Sequence, residues 1–518
     1  MALRSGGQGV AAVPDTVLIV GSGPAGLFAA SELLRHGVRP RIVEKRLAPH
    51  HETRGTVIQP AVLEILDRGG LIDPFLAAGT RIEHIQILGP GLRELARADL
   101  AGIGSKYEFQ CSLPQWRTEA ILREHLANEG IAIEYGIDVK SIDEDEAGVH
   151  VTIEVDGRKE TLSAAYVLGA GGGHSITRHA MGQHLVGETY DGRYIVADVA
   201  LGLSTPPGHG RVIVGRAGFV LISPLPDDRW LIFVNRDDDD VRDALPNEAE
   251  LSALLNARVG ADVGMQDLRW ASYFRMHKRA VPSLSNGRRF LLGDAAHMSS
   301  PLGGEGINAA FMDAADIAWK LALVLQGAAK PAILDSYAVE RGMADQHVLE
   351  VSDEIHNFVM GLVAQCVTDP APSLPPGSPA EVLLTLRKRS MLDVCYAGST
   401  LIAPQPTDDA TGTRLAAWHR LSGTGHHLVV FGDAPSRESL GARWQHAVSI
   451  IDGRSIGLEP QEAGVSDTGA ILVRPDGFIG FRALALDDIA IDALDAHLAS
   501  YLLPRDSDVT KGMSVAVA

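Results

Sequence analysis

Two glycine-rich stretches carry residue types that can handle phosphate and a redox-active ring. The first is Gly21-Ser22-Gly23-Pro24-Ala25-Gly26, with the acid Glu44 and Lys45 further on. In such a run the first glycine allows a tight turn, the second lets backbone approach a pyrophosphate, and the third lets a helix pack on a strand. The helix N–H groups and dipole then face the phosphates, and a carboxylate at the distance of Glu44 can accept ribose hydroxyls. The second stretch is Gly293-Asp294, followed by Pro301-Leu302-Gly303-Gly304-Glu305-Gly306-Ile307-Asn308. Asp294 suits a sugar or ribityl hydroxyl. The N–H groups of Gly303 to Asn308 open a helix and suit the charge of a reduced isoalloxazine near N1 and O2. Other groups offer less. His50 and His51 lack metal-ligand spacing and read as loop residues. His297 reads as a packed, hydrogen-bonded side chain before it reads as a base. There is no Ser-His-Asp order, HExxH or Walker loop, and no metal is expected.

The surrounding sequence supplies elements to position these groups. Thr16-Val17-Leu18-Ile19-Val20 is a short apolar run suited to a strand buried on both faces. Leu27, Ala30, Leu33 and Leu34 stripe a helix after it, and Arg41-Ile42-Val43-Glu44 is a second strand. Strand, GxGxxG, helix, strand and acid together make a dinucleotide site without deciding between NAD and FAD. An amphipathic helix follows Gly55 within "VIQPAVLEILDRGGLID". Phe290-Leu291-Leu292 is a buried strand, and a long helix runs from about Ile307 to Leu325. Residues 186–281 hold strand-like runs such as "YIVADVAL", "FVLISPL" and "RWLIFVN" between turn signals, which predicts an inserted antiparallel sheet. Tyr273 and Arg275 on its last strand, with Pro224, are the candidates for a substrate pocket; core packing and a surface ion pair are equal readings for that last strand. After about residue 400 the texture is strands and turns closed by one helix, "DDIAIDALDAHLASYLL".

The chain has 518 residues and a formal net charge of −19, which argues against nucleic acid and an anionic membrane surface as general partners. Three cysteines, Cys111, Cys366 and Cys395, form no CxxC, so a reducing cytoplasm fits better than a disulfide framework. Residues 1–14 lack the apolar centre of a signal peptide and are expected to be a disordered tail. No apolar run is long enough to span a bilayer.

The segment from Arg288, "RRFLLGDAAHMSSPLGGEGINAAFMDAADIAWKLALVL", with "LDSYAVERGMA" and "SLPQWRTEAILREHL", resembles the class A flavoprotein monooxygenases of the p-hydroxybenzoate hydroxylase fold. The resemblance runs from residue 15 to about 400. It implies an α/β fold: a Rossmann-like FAD-binding domain over 15–185 and 282–400, with 186–281 as the inserted substrate-binding sheet. "VRPDGFIGFR" implies a thioredoxin-like C-terminal domain over 401–518, without dithiol chemistry. It further implies FAD held by Gly21, Gly23, Pro24, Ala25, Gly26, Glu44, Lys45, Arg54, Gln115 and Asp294. The flavin ring would lie near Pro301, Gly303, Gly304, Gly306, Ile307 and Asn308, with NADH or NADPH as co-substrate. The implied activity is hydroxylation of a phenolic substrate with O2 through a flavin C4a-hydroperoxide. A flavin-dependent epoxidase or Baeyer–Villiger enzyme on a polycyclic substrate, or a non-catalytic flavin-binding protein, are the alternatives. No catalytic base is named; Pro301, His297 and Arg54 are the nearest candidates. A homodimer is a further implication.

Two positions depart from the family pattern. Gly171, in "YVLGAGGGHSITR", stands where the family carries an Asp linked to FAD and nicotinamide handling. Read without the family, this glycine run also fits a second phosphate loop, though no acid follows at ribose distance. Glu305 stands where relatives carry Gln or Lys. A carboxylate there disfavours an anionic flavin unless it is neutralised or turned to solvent.

Overall fold

The apolar run after Thr16 forms the strand Val17–Val20, buried along its whole length. In the computed structural model it is an inner strand of a six-stranded sheet, flanked in parallel by Tyr166–Gly169 and Arg41–Glu44. Arg289–Leu291 and Ile133–Tyr135 extend the parallel sheet, and Ser285–Asn286 closes one edge antiparallel. The structure describes residues 16–51, 53, 55–190, 192–203, 205–236, 245–369, 372, 379–403, 411–432 and 443–504. The tail expected over residues 1–14 and Arg54 lie outside them.

Because strand side chains alternate, the first sheet divides its residues between two cores. Val17, Ile19 and Leu168 face the helices Pro24–Arg35, Gln115–Asn128 and Gly306–Leu325, where Phe28 stacks on Phe311 at 4.3 Å. Leu18, Val20 and Val167 face a three-stranded meander, Asp138–Asp145, Gly148–Val155 and Arg158–Ala164.

The second sheet has seven strands, in the order Gln266–Phe274, Tyr194–Ala200, Arg229–Asn235, Gly218–Leu225, His209–Gly215, His84–Leu88 and Glu94–Asp99. It is not confined to residues 186–281, since two of its strands come from residues 84–99. Nor is it wholly antiparallel, because His209–Gly215 pairs parallel with His84–Leu88. Val186–Thr189 and His277–Ala280 instead form a small sheet with His297–Met298. One face of the large sheet packs Ile195, Ile213, Ile222 and Ile232 against Leu251 and Leu255 of the helix Glu248–Val259. The other face presents Tyr194, Val196, Leu231 and Phe233 toward the long helix Asp335–Thr368.

The C-terminal part holds a four-stranded sheet, Val448–Asp452, His426–Val430, Ala470–Val473 and Ile479–Ala483, backed by the helix Asp488–Tyr501. Its buried residues join the core of the first sheet. All three cysteines are unbridged. Among the described residues no helix is long and apolar enough to cross a membrane.

Candidate functional site

The first glycine loop is shaped by contacts no side chain could share. Gly21 has φ +112°, and a Cβ there would overlap the carbonyl of Ala170, the residue leaving the neighbouring parallel strand. A Cβ on Gly26 would overlap the Gly21 carbonyl, so Gly26 packs the helix on the turn and does not itself line the cavity. Gly23 differs: a Cβ there would meet no protein atom within 4 Å. Its backbone is open to the cavity, together with Pro24 and Ala25. The helix begins at Pro24 with no side-chain cap, which leaves its first N–H groups available to a ligand.

Glu44 ends the second strand with a carboxylate accepting five hydrogen bonds. Ser22 donates its backbone N–H and its hydroxyl, each at 2.9 Å. Arg46 donates its backbone N–H at 2.9 Å, and its Nε and Nη2 each at 3.1 Å. Burial opposes the charge, but these donors outweigh it and hold the carboxyl down to about 2. Lys45, Arg46 and His50 line the same end of the cavity. Nothing in the motif spacing pointed to Arg46 or His50. Gln115 also lines it; its Oε1 accepts from the Gly55 N–H at 3.1 Å, and its Nε2 donates to Glu119 at 3.0 Å.

The second glycine loop stands across from the first. Asp294, Pro301, Gly303, Gly304, Gly306 and Ile307 all reach the cavity. Three expected residues do not. Asn308 is fully buried: its Oδ1 accepts from the Gln59 N–H at 2.7 Å, and its Nδ2 donates to the carbonyls of Val57 and Gly304, each at 2.8 Å. It therefore ties the loop to the segment before the helix Pro60–Arg68. His297 is buried behind the loop, its Nε2 2.7 Å from Asp313 Oδ2, which also accepts from the Gly293 N–H at 2.9 Å. Burial opposes its charge, but Asp345 and Asp313 raise it to about 9, so it is a fixed cation of the core with no access to a substrate. Glu305, the departure beside the ring position, is 1 % exposed and does not line the cavity. Neither carboxyl oxygen has a partner, and burial raises the group to about 7 against the pull of Arg389 and His347. It is turned inward, and burial makes it hold its proton to a higher pH than an exposed carboxyl would.

Between the two loops and the large sheet lies one cavity of about 1840 Å³. Gly171, Gly172 and Gly173 form part of its wall, and a Cβ at Gly171 would meet Ser175 at an ordinary 3.4 Å. Strand parity decides which sheet residues face it. Phe274, Phe233, Leu221 and Ser223 do. Tyr273 and Pro224 lie one residue out of phase and do not, Tyr273 packing instead toward the helix Glu248–Val259. Arg275 is exposed beyond the strand's end. The far wall comes from two helices, at positions outside any motif: Ile355, Phe358 and Val359 on Asp335–Thr368, and Lys388 and Arg389 at the end of Pro379–Arg389.

Among the described residues two buried clusters bring three ligand-type groups together, His297 with Asp313 and Asp345, and Asp316 with Glu340 and Asp476. Each already contains protein cations. Arg341 bonds Asp313 and Asp345 in the first; Lys320 and Arg474 bond Glu340 in the second.

Residues 15–352 match the model of the FAD-binding-domain family. The chain is 30% identical to a 6-methylpretetramide 4-monooxygenase of Streptomyces rimosus, over 95% of this chain and 94% of that one. It is 28% identical to the pentachlorophenol 4-monooxygenase of Sphingobium chlorophenolicum, over 93% and 96%. Among solved structures, an anhydrotetracycline hydroxylase from Streptomyces rimosus superposes with a TM-score of 0.75 at 25% identity, covering 95% of this chain and 99% of that one. An aklavinone-11 hydroxylase in complex with FAD and aklavinone shares the fold at 0.78 and 24%, covering 93% and 98%. The chain belongs to the FAD-binding-domain family, within the class A flavoprotein hydroxylases, and is an FAD-dependent monooxygenase.

Proposed function

We propose that this chain hydroxylates a phenolic aromatic substrate held between the second glycine loop and the apolar face of the large sheet. The overall change takes one substrate C–H, NAD(P)H, a proton and O2 to the hydroxylated ring, NAD(P)+ and water. The observation carrying this reading is that one cavity runs from the pyrophosphate-type loop at Gly21–Ala25 to an aromatic-lined sheet face. Its volume exceeds the few hundred to about 1,000 Å³ of an ordinary small-molecule site, leaving room for a dinucleotide and a ring substrate together.

The residues fit FAD. The uncapped helix start and the open Gly23 backbone suit the pyrophosphate. The ionised Glu44 carboxylate suits the ribose hydroxyls, with Lys45 and Arg46 alongside. Asp294 and Gln115 are assigned to its polar chain, and Pro301, Gly303, Gly304, Gly306 and Ile307 to its ring. When bound, FAD supplies hydride acceptance from the nicotinamide and activation of O2. The chain's own part is to orient and to dry the site. Leu221, Leu231, Phe233 and Phe274 present apolar surface to the ring and exclude water. The start of the helix Gly306–Leu325 offers backbone N–H groups to developing negative charge.

The named relatives act on tetracycline-type polyketides and on pentachlorophenol. The size of the cavity favours the larger, polycyclic end of that range. The division into an FAD-binding part over 15–185 and 282–400 and a separate part from 401 is kept within this reading. The C-terminal sheet supports a thioredoxin-like assignment. Its first two strands are parallel, the other two neighbouring pairs antiparallel, and a helix follows.

The test is the visible spectrum of the purified protein, followed by NADH and NADPH oxidation in air against simple phenols, naphthols and hydroxyanthraquinones. A flavin spectrum, oxidation stimulated by one ring class, and product heavier by one oxygen are expected. Protein that takes up no FAD, or flavoprotein that no ring stimulates, overturns the reading.

A further inference from the structure

The helix Pro379–Arg389 ends on the cavity with a side chain that the cofactor loops do not account for. Arg389 lines the cavity beside Lys388. Among the described residues its guanidinium has no hydrogen-bond or ion-pair partner, and its Nε is buried with nothing to donate to. Four buried arginines, by contrast, are all engaged. Arg341 is used by Asp313 and Tyr396, Arg474 by Glu340, Arg229 by Asp198, and Arg178 by two backbone carbonyls.

Only the Nε edge of this half-buried guanidinium is out of solvent; an unpaired donor there is costly to keep, and burial lowers the group's basicity. The charge that offsets this is Glu305, whose own carboxyl oxygens are buried without partners and which does not reach the cavity. Arg389 therefore faces the cavity with its fork free, and a carboxylate stabilises it only through space. Its position is fixed close to the ring-binding loop. The Ser390 carbonyl accepts from the Ala61 N–H at 3.3 Å, and Gln59, two residues earlier, donates to the Gly303 carbonyl at 3.3 Å.

A planar fork of donors matches a planar pair of oxygens. We propose that Arg389 is a substrate-recognition residue, binding an anionic oxygen pair at the edge of the aromatic substrate: a carboxylate, or the enolate of a 1,3-dicarbonyl, conjugated to the ring. This rests on the hydroxylase reading for its ligand class but not for its readout. The substrate then has a flat apolar body for the sheet face and one charged edge for the helix end. Lys388 adds positive charge on the same wall. The paired oxygens fix the ring's rotation in its own plane, and so select the carbon that is presented to the loop at Pro301–Gly306.

The test uses the FAD-loaded protein and two flat probes, 1-hydroxy-2-naphthoate and 1-naphthol, titrated at about pH 8, where Glu305 is ionised in the free protein. The wild type should bind the naphthoate about tenfold or more tightly than the naphthol. Arg389→Met should erase that preference, and Arg389→Lys should restore part of it, because charge returns without the fork. Glu305→Gln removes the competing charge and should tighten the naphthoate alone. That variant keeps the proposal testable if Arg389→Met fails to fold. A wild type with no preference, or an Arg389→Met variant that keeps it, overturns the proposal. So does an Arg389→Met variant that loses FAD affinity while its probe selectivity is unchanged, since the cofactor would then be the partner. Selectivity lost in Arg389→Met on a protein that never turns over leaves the anchor standing and sinks the hydroxylase. Turnover of neutral phenols without anion preference does the reverse.

Discussion

At Gly26 a single methyl group would overlap the Gly21 carbonyl, whereas at Gly171 it would meet Ser175 at 3.4 Å. The two glycines therefore answer differently to substitution. Gly26→Ala should give protein that folds poorly and recovers without FAD, while Gly171→Asp should fold and stay yellow. Thermal melts and the visible spectrum check both, and a yellow, stable Gly26→Ala would refute the packing role. The glycine run was legible in the sequence because its backbone demands are local. Asn308 was not, since its partners Val57 and Gln59 lie some 250 residues away and no spacing rule joins them. Glu305 allows a prediction with a sign. Its folded value of about 7 lies above the ordinary 4.5, so the folded chain binds the extra proton between those values. The associated stability is complete below about 4.5 and lost as pH rises through about 7. Glu305→Gln, which mimics the protonated form, should melt like wild type at about pH 4.5 and be more stable by roughly 3 kcal/mol at about pH 8. Equal melting of the two proteins at the higher pH would show that the carboxylate has found a partner.

Strand parity decides which sheet residues form the cavity wall. Tyr273 and Phe274 are neighbours in sequence and sit on opposite faces of the sheet, one toward the helix Glu248–Val259 and one toward the cavity. The existence of the strand could be read from its apolar and aromatic content, but not its phase, because both residues suit either face. The strands His84–Leu88 and Glu94–Asp99 escaped for a different reason. They join the sheet through a parallel pairing with His209–Gly215, a contact more than a hundred residues long in sequence that no hairpin signal announces. The phase has a kinetic consequence. Phe274→Ala removes a ring from the cavity wall and should raise KM for the aromatic substrate about tenfold, with FAD content unchanged. Tyr273→Phe should leave both quantities as they are. A KM shift in Tyr273→Phe with none in Phe274→Ala would mean that the functional sheet has the opposite phase.

The C-terminal part is bonded into the FAD-binding part through buried charge. Arg474 reaches Glu340 at 2.5 and 2.8 Å, Lys320 donates to the same carboxylate at 2.6 Å, and Trp319 Nε1 donates to Asp476 at 3.2 Å. Glu340 could be picked out of "LDSYAVERGMA" by family likeness alone; its work as a junction needed the third dimension. Around this junction the C-terminal part holds three imidazoles that resist protonation in the folded chain, His426 and His427 buried and His497 half-buried. Burial lowers His426 to about 3 and His427 and His497 to about 4, with the Arg474 charge adding to the effect at His426 and His497. Each has a folded value below the ordinary 6.5, so the unfolded chain takes up the proton first as the solution is acidified. Their stability is complete above about pH 6.5 and is lost progressively as pH falls toward 3. His426 alone accounts for roughly 4–5 kcal/mol of that loss, a large share of the 5–15 kcal/mol that holds a typical domain folded. Trp444, buried with its Nε1 on Asp495, lies in this part of the chain. Following tryptophan fluorescence during acid titration should show unfolding begin between about pH 6 and 4, before most carboxylates are protonated. His426→Gln should flatten the fall in that window, whatever its packing costs near neutral pH. A melting temperature that stays level from pH 7 to about 4 in the wild type would mean that these imidazoles find water or a partner as they charge, and the junction would then not be sensitive to acid.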